Sequence, residues 1–176
     1  NIMNNFIDSL RKALITENWY AVLFISLTLP DICGKIDEPD KGSKARTINW
    51  FNKYLAPIYT VKIGPERIEH IFLTGGDFYA LRCAYLHEGS DEIVNQKAQE
   101  ILHRFKFIQP LAPDINIHRN AFDGNILQLQ VSEFGKEILS AVEKWLVDIS
   151  SDSDKINKLK NFLNIELIDF SKGFTL

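Results

Sequence analysis

The sequence predicts a mainly α-helical protein with one small β-hairpin before its last helices. Apolar residues recur every three to four positions in several long segments, which is the spacing of a buried helix face. Two short segments, 102–108 and 126–131, instead alternate apolar and polar residues as a half-buried strand does. Proline, glycine and small polar residues separate these segments, and such residues commonly mark the ends of helices and strands.

Length and composition place the chain among ordinary soluble domains. Its 176 residues fit a single domain, and 45% hydrophobic with 24% charged residues is enough to form a real core. The net charge of −3 excludes an overall basic field that would collect nucleic acid, although a local basic cleft stays compatible with it. Neither a cofactor motif nor a cysteine–histidine cluster is present, so no cofactor and no metal are expected.

The cysteines and the apolar segments predict a cytoplasmic protein. Cys33 and Cys83 lie in apolar, helix-like surroundings, which favours reduced core thiols over a disulfide framework. The first residues do not have the pattern of a signal peptide. The longest apolar run, 19–30, is too short to cross a bilayer, so no membrane association is expected.

Three helices are predicted before residue 56. The first covers residues 4–16 and has one apolar face. The second covers Glu17–Lys35 and is mostly buried, and its internal Pro30 predicts a kink or a break near residues 28–29. The third begins near Ser43 and continues to about residue 55.

Residues 58–73 are ambiguous. They fit a short extended piece and a turn, followed by a short helix from Pro65. Further along, the two alternating segments predict an antiparallel hairpin with a long connection. A helix capped by Ser132 should follow, with Trp145 in its apolar stripe, and a last short helix is expected at Lys155–Leu163.

We therefore expect one domain over residues 1–176. It would consist of a helical core at 1–100, a β-hairpin at 101–131 and C-terminal helices at 132–176.

The segment Thr74–Gly89 (TGGDFYALRCAYLHEG) has the strongest functional signal. Thr74 and Asp77 have the spacing of a capping box, and Gly89 is placed to end the helix. From residue 78 to residue 86, Arg82 is the one charged residue in an otherwise apolar helix that should be buried on several sides.

A buried guanidinium needs a partner, because removing its charge from water costs roughly several kcal/mol. The partner of Arg82 is either a carboxylate of another helix, a cleft or a second subunit. Asp31 and Glu17, both on the second predicted helix, are the candidate carboxylates.

His87 follows Arg82 by five residues, which corresponds to about 140° around an α-helix. It should lie at the C-terminal end of the helix, where the helix dipole favours a protonated imidazole. The two side chains can therefore share a site only around the helix end or across a dimer.

The pattern Arg82-Cys-Ala-Tyr-Leu-His87, on a late helix of a small helical domain, resembles the Arg-x4-His signature of the HEPN superfamily. The resemblance covers roughly residues 1–100 and leaves the remainder of the chain unexplained, including the segment 101–131. It implies a helical bundle that forms a homodimer in which two such helices face each other. In catalytic members it implies metal-independent RNA cleavage by Arg82 and His87, in bacterial defence or toxin–antitoxin systems, with RNA and a protein antitoxin as partners.

The residue types suit that chemistry. Histidine moves protons near neutral pH, and arginine offers a permanently charged fork to phosphate oxygens. Tyr85 and Glu88 are placed to assist. A basic run could contact a phosphate backbone, although a run of this kind is more often a solvated face; its members are Lys41, Lys44, Arg46 and Lys53. The segment LHRFKFI permits two interpretations in the same way: a half-buried strand, which is the commoner, or a strand that binds single-stranded nucleic acid.

A non-catalytic alternative fits the same residues. Arg82 would then form a buried ion pair, His87 would be an ordinary residue at a helix end, and the chain would be a helical dimerisation or protein-interaction domain. Two measurements separate the hypotheses: the oligomeric state, and the effect on RNA of replacing His87.

Overall fold

The protein is mainly α-helical, as the sequence predicts, in a computed structural model that describes residues 2–86, 99–122, 125–162, 165 and 171. The helices are α1 (Ile2–Ile15), α2 (Trp19–Asp37), α3 (Ser43–Tyr54), α4 (Ala56–Tyr59), α5 (Gly75–Leu86), α6 (described over 99–104), α7 (Val131–Ile149) and α8 (Ser153–Lys160). The strands are β1 (Thr60–Ile63), β2 (Ile68–Ile71), β3 (Phe105–Ile108), β4 (Asn120–Phe122) and β5 (Ile126–Gln130).

Helix α2 lies at the centre of the fold and packs against α1, α3, α5 and α7. Leu27 and Leu29 of α2, Phe51 of α3 and Phe78 of α5 are fully buried there. Each such side chain contributes roughly 1.5–3 kcal/mol relative to an exposed one. Helix α7 completes the core with the apolar stripe that the sequence predicts, and its members are all buried: Phe134, Ile138, Ala141, Val142 and Trp145.

Helix α2 continues through Pro30 as one helix, so the predicted alternative of a break near residues 28–29 does not occur. Proline removes one backbone donor, but Leu29, Pro30 and Asp31 are all buried, and tertiary packing holds the helix together. The helix that contains the apolar run 19–30 is longer than the run itself, and by length and composition alone it could cross a membrane. An 18-residue window of this 19-residue helix has a mean hydropathy of 1.3. Half of that window is buried inside the fold, as it is in the core helix of a soluble protein.

Residues 60–71 form a β-hairpin, and the helix predicted from Pro65 does not occur. The register pairs Thr60 with Ile71 and Ile63 with Ile68. Gly64 and Arg67 both have a left-handed backbone, with φ of 75° and 53°, and this conformation closes the turn between the strands. Proline is favoured both in turns and at the first position of a helix. Pro65 therefore fits either structure, and composition alone does not distinguish them.

Both alternating segments contain strands, but these strands pair in parallel and not as the predicted antiparallel hairpin. The sheet order is β3-β5-β4, with β3 parallel and β4 antiparallel to β5. The long connection is the reason, since it gives the chain room for β4 and for a crossover before β5. Alternation identifies a strand and its buried face without giving its direction.

Local side-chain chemistry explains the starts of α5 and α8, but not that of α7. The Thr74 hydroxyl accepts the Asp77 N–H at 3.0 Å, and Asp77 Oδ2 accepts the Thr74 N–H at 3.3 Å, which confirms the capping box. Asp152 likewise caps α8 by accepting the N–H of Lys155. Ser132 does not cap α7, which begins at Val131, and its hydroxyl instead accepts Gln130 Nε2 at 2.9 Å.

Gly34 sets the distance between α2 and α3. A Cβ atom at this position would lie 2.7 Å from the backbone oxygen of Arg46, so one helix would have to move. We expect Gly34→Ala to lower the free energy of unfolding by about 1–3 kcal/mol in urea denaturation. Gly76→Ala is the matched control, because its added Cβ would meet only the Thr74 hydroxyl at 3.7 Å. The Gly76→Ala control should leave the free energy of unfolding unchanged or raise it. An equal decrease in both variants would contradict the role of Gly34 in the close approach of α2 and α3.

Candidate functional site

Asp31 of α2 is the centre of a largely buried polar cluster that joins three helices. Its Oδ1 accepts hydrogen bonds from three side chains of α3: Ser43 Oγ at 3.0 Å, Arg46 Nε at 2.7 Å and Thr47 Oγ1 at 3.2 Å. Its Oδ2 accepts Arg82 Nη2 of α5 at 2.8 Å. We call Asp31, Arg46 and Arg82 the arginine cluster.

The arginine cluster supplies the partner that the sequence requires for Arg82. Of the two candidate carboxylates, Asp31 is correct, whereas Glu17 is exposed in the link between α1 and α2. The Arg82 side chain is only 11% exposed, which confirms the predicted burial. Its Nε–H is buried and has no acceptor among the described residues, so the guanidinium is not saturated by the ion pair.

The arginine cluster has an excess of positive charge. Two guanidiniums share one carboxylate, and the side chains of Arg46 and Arg82 are 17% and 11% exposed. Burial by itself raises the pKa of Asp31, but the hydrogen bonds from Arg46 and Ser43, and the charges of Arg82 and Arg46, outweigh it and lower that pKa. Asp31 is therefore ionised at neutral pH, and the cluster has a net charge of one positive unit.

The structure brings two predicted site residues together and leaves others apart. Arg46 and Arg82 meet on Asp31, although they were predicted for different parts of a site. Lys44 is exposed on the first turn of α3. Lys53 is also largely exposed and lies 3.6 Å from Asp148 Oδ2. The basic run therefore does not form one continuous phosphate-binding face.

Tyr85 lies one turn beyond Arg82 on α5 and is half-buried. Its ring packs edge-on against Phe107 of β3 at a centroid distance of 5.4 Å. Burial raises the pKa of its phenol, which stays protonated at neutral pH. It lines a cavity of about 190 Å³ together with residues of α2, β3 and α7.

The predictions for His87 and Glu88 fall outside the described residues, as does the helix end assigned to Gly89. The thiols of Cys33 and Cys83 are both free, as expected. Cys33 is fully buried, and burial raises its pKa. Within the described part of the chain, no group of three or more histidine, cysteine, aspartate or glutamate side chains is arranged to hold a metal ion.

A second polar cluster joins α4, α7 and the residues before β4. Glu137 accepts the Tyr59 hydroxyl on Oε2, and His118 Nε2 lies 3.0 Å from Oε1. His118 Nδ1 accepts the backbone N–H of Gln130 at 3.1 Å, so the ring proton is on Nε2 and is donated to Glu137. Arg119 Nη2 lies 3.6 Å from the same carboxylate. We call Tyr59, His118, Arg119 and Glu137 the glutamate cluster.

Sequence reasoning missed the glutamate cluster, because its members are separated by up to 78 positions and belong to no local motif. The structure, but not the sequence, marks this cluster as unusual. Arg119 has a left-handed backbone with φ of 58°, a conformation that is uncommon for residues other than glycine. Burial, and then the neighbouring Glu137 charge and hydrogen bond, raise the pKa of Tyr59 well above its usual range. The phenol therefore remains a donor to Glu137.

Comparisons with models of known families, with curated proteins and with solved structures found no match.

Proposed function

We propose that the protein is a HEPN-like domain that cleaves RNA without a metal ion, as a cytoplasmic homodimer in bacterial defence or a toxin–antitoxin system. The observation that supports this most directly is the arginine cluster. Two guanidiniums, those of Arg46 and Arg82, share the single carboxylate of Asp31, so one positive charge of the cluster is not balanced within it. The remaining positive charge suits the phosphate of an RNA backbone.

In the proposed reaction the ribose 2′-oxygen attacks the adjacent phosphorus and the 5′-oxygen leaves. His87 of one or both copies moves the proton from the 2′-hydroxyl to the leaving oxygen. Arg82 stabilises the charge on the phosphorane oxygens, and Asp31 fixes the orientation of its guanidinium. A carboxylate that holds a catalytic cation in this way reduces the reorganisation needed when charge develops.

A non-catalytic helical dimerisation or protein-interaction domain is the second candidate. The observation that favours it is the burial of Arg82 and its contact with Asp31, because a guanidinium only 11% exposed joins α5 to α2 and leaves little of its surface for a ligand. Under this alternative Arg82→Ala lowers stability, and no chemistry is lost with it. The two candidates therefore differ in what happens to RNA.

RNA cleavage by the purified protein tests the proposal. The full chain is incubated with single-stranded RNA of mixed sequence in the presence of EDTA, and fragments are followed on a denaturing gel. We expect the wild type to cleave and His87→Ala to be slower by about 100-fold or more, as is typical for loss of a general acid–base group. Arg82→Lys should also be slow, because an ammonium group cannot replace the planar fork.

His103→Ala is the matched control, since this histidine is exposed in α6. Thermal unfolding of each variant separates lost chemistry from lost folding. Equal cleavage by the wild type and His87→Ala would remove His87 from the chemistry. Absence of cleavage by the folded wild type would favour the interaction domain.

A further inference from the structure

The cavity beside Tyr85 has walls of an unusual kind. Four aromatic side chains line it: Trp19 and Tyr20 at the start of α2, Tyr85 near the end of α5 and Phe107 of β3. The Phe107 side of the cavity is held in place by the core, because the Phe107 ring also packs on Phe134 at a centroid distance of 5.0 Å. The cavity is therefore a preformed aromatic site of about 190 Å³.

We propose that this cavity binds an unpaired nucleobase of the RNA that the arginine cluster engages, an inference that rests on the proposed function. We call it the aromatic cavity. Flat aromatic walls suit a flat heteroaromatic ring, and stacking on such walls accepts any base.

The exposure of Tyr20 favours a stacking role over a purely structural one. Its side chain is 70% exposed at the rim of the cavity, so its ring is accessible to a base that enters from solvent. Gln109, which directly follows β3, also lines the cavity and is exposed. It offers an amide donor and acceptor to the edge of a base, which a site for an aliphatic side chain would not need.

The aromatic cavity and the arginine cluster lie on the same pair of helices. Tyr85 follows Arg82 by three residues on α5, and such residues are neighbours on a helix surface. On α2, Leu23 of the cavity wall precedes Asp31 by eight residues, or about 12 Å at the helical rise of 1.5 Å per residue. A short single strand can therefore place a phosphate at Arg82 and a neighbouring base in the cavity.

Binding of an uncleavable RNA tests this inference apart from catalysis. The probe is a fluorescein-labelled 2′-O-methyl oligoribonucleotide of mixed sequence, which lacks the attacking hydroxyl, and anisotropy reports its affinity for the full chain. We expect Tyr20→Ala to weaken binding about 5-fold or more, the loss typical of one stacked base. Tyr20 is exposed, so this variant should fold.

Phe24→Ala is the matched control, since Phe24 belongs to the same helix, is 40% exposed and does not line the cavity. It should bind the probe as the wild type does. A second probe of equal length that has the sugar–phosphate backbone but no bases should bind weakly and should not distinguish Tyr20→Ala from the wild type.

Three results would overturn the inference. The first is equal binding of both probes, and the second is an unchanged affinity in Tyr20→Ala. The third is a Tyr20→Ala variant that changes the oligomeric state of the RNA-free protein instead, which would assign the cavity to contacts between copies. Tyr20-dependent binding without cleavage of ordinary RNA would support the aromatic cavity while rejecting the proposed catalysis.

Discussion

Asp31→Asn is expected to lower the free energy of unfolding by about 3–5 kcal/mol at neutral pH, the usual result of removing one partner from a buried ion pair. The substitution removes the negative charge between two guanidiniums. It also places an amide N–H₂ where the carboxylate accepts hydrogen bonds from Arg46 on one oxygen and Arg82 on the other. One of the two guanidiniums then faces the N–H₂ group of the amide, which cannot accept its hydrogen bond, and the positive charge of both arginines is left without a negative partner.

The same variant should show a defined pH dependence. The pKa of Asp31 is lower in the folded protein than its ordinary value of 3.8. Its contribution to stability is therefore fully present above about pH 4 and is lost as the pH falls through the folded pKa. The stability difference between the wild type and Asp31→Asn should shrink below about pH 4 in urea titrations.

Asp40→Asn is the control for this prediction, because Asp40 is exposed after α2. It should unfold at the wild-type urea concentration. A similar midpoint for Asp31→Asn and Asp40→Asn at neutral pH would show that the arginine cluster does not hold α2, α3 and α5 together.

Glu137→Ala should destabilise the protein by an amount of the same order, about 3 kcal/mol or more. The glutamate cluster would lose its only shared acceptor among the described residues, and the buried Tyr59 hydroxyl and His118 Nε2–H would be left unsatisfied. Hydrogen bonds to a charged group contribute about 1.5–3 kcal/mol each, and a stranded buried donor costs as much again. The His118 side chain is only 4% exposed, so water replaces the lost acceptor poorly.

Glu133→Ala provides the comparison for Glu137, since the two glutamates are one turn apart on α7. Glu133 pairs with Lys136 at 2.7 Å near the surface, and such pairs contribute about 1 kcal/mol or less. Calorimetric melting of both variants checks the difference. A loss in Glu137→Ala no greater than in Glu133→Ala would contradict a stabilising role for the glutamate cluster.

The sequence predicted the arginine cluster in part, because burial imposes a requirement that a sequence can show. A charged residue in an apolar helix must have a partner, and Asp31 was one of the two carboxylates available on the second helix. The contribution of Ser43, Arg46 and Thr47 was not predictable, since it depends on how closely α3 approaches α2 at Gly34.

The glutamate cluster, in contrast, could not be predicted from the sequence at all. Tyr59, His118 and Glu137 are each unremarkable in their local segments, and no spacing connects them. They meet because α4, the residues before β4 and helix α7 converge in the fold. Sequence patterns report on neighbours within one helix or strand, so contacts of this kind leave no signal in a single sequence.

Helix α5 shows both kinds of feature, those that the sequence determines and those that the packing decides. The sequence by itself determined that α5 exists, that Thr74 and Asp77 cap it and that Arg82 is buried, because these follow from local hydrogen bonding and from helical periodicity. Only the tertiary structure decided that Arg82 shares Asp31 with Arg46, that β3 is parallel to β5, and that Tyr85 faces an aromatic cavity. These features depend on the packing of distant elements, and packing is set by the whole chain at once.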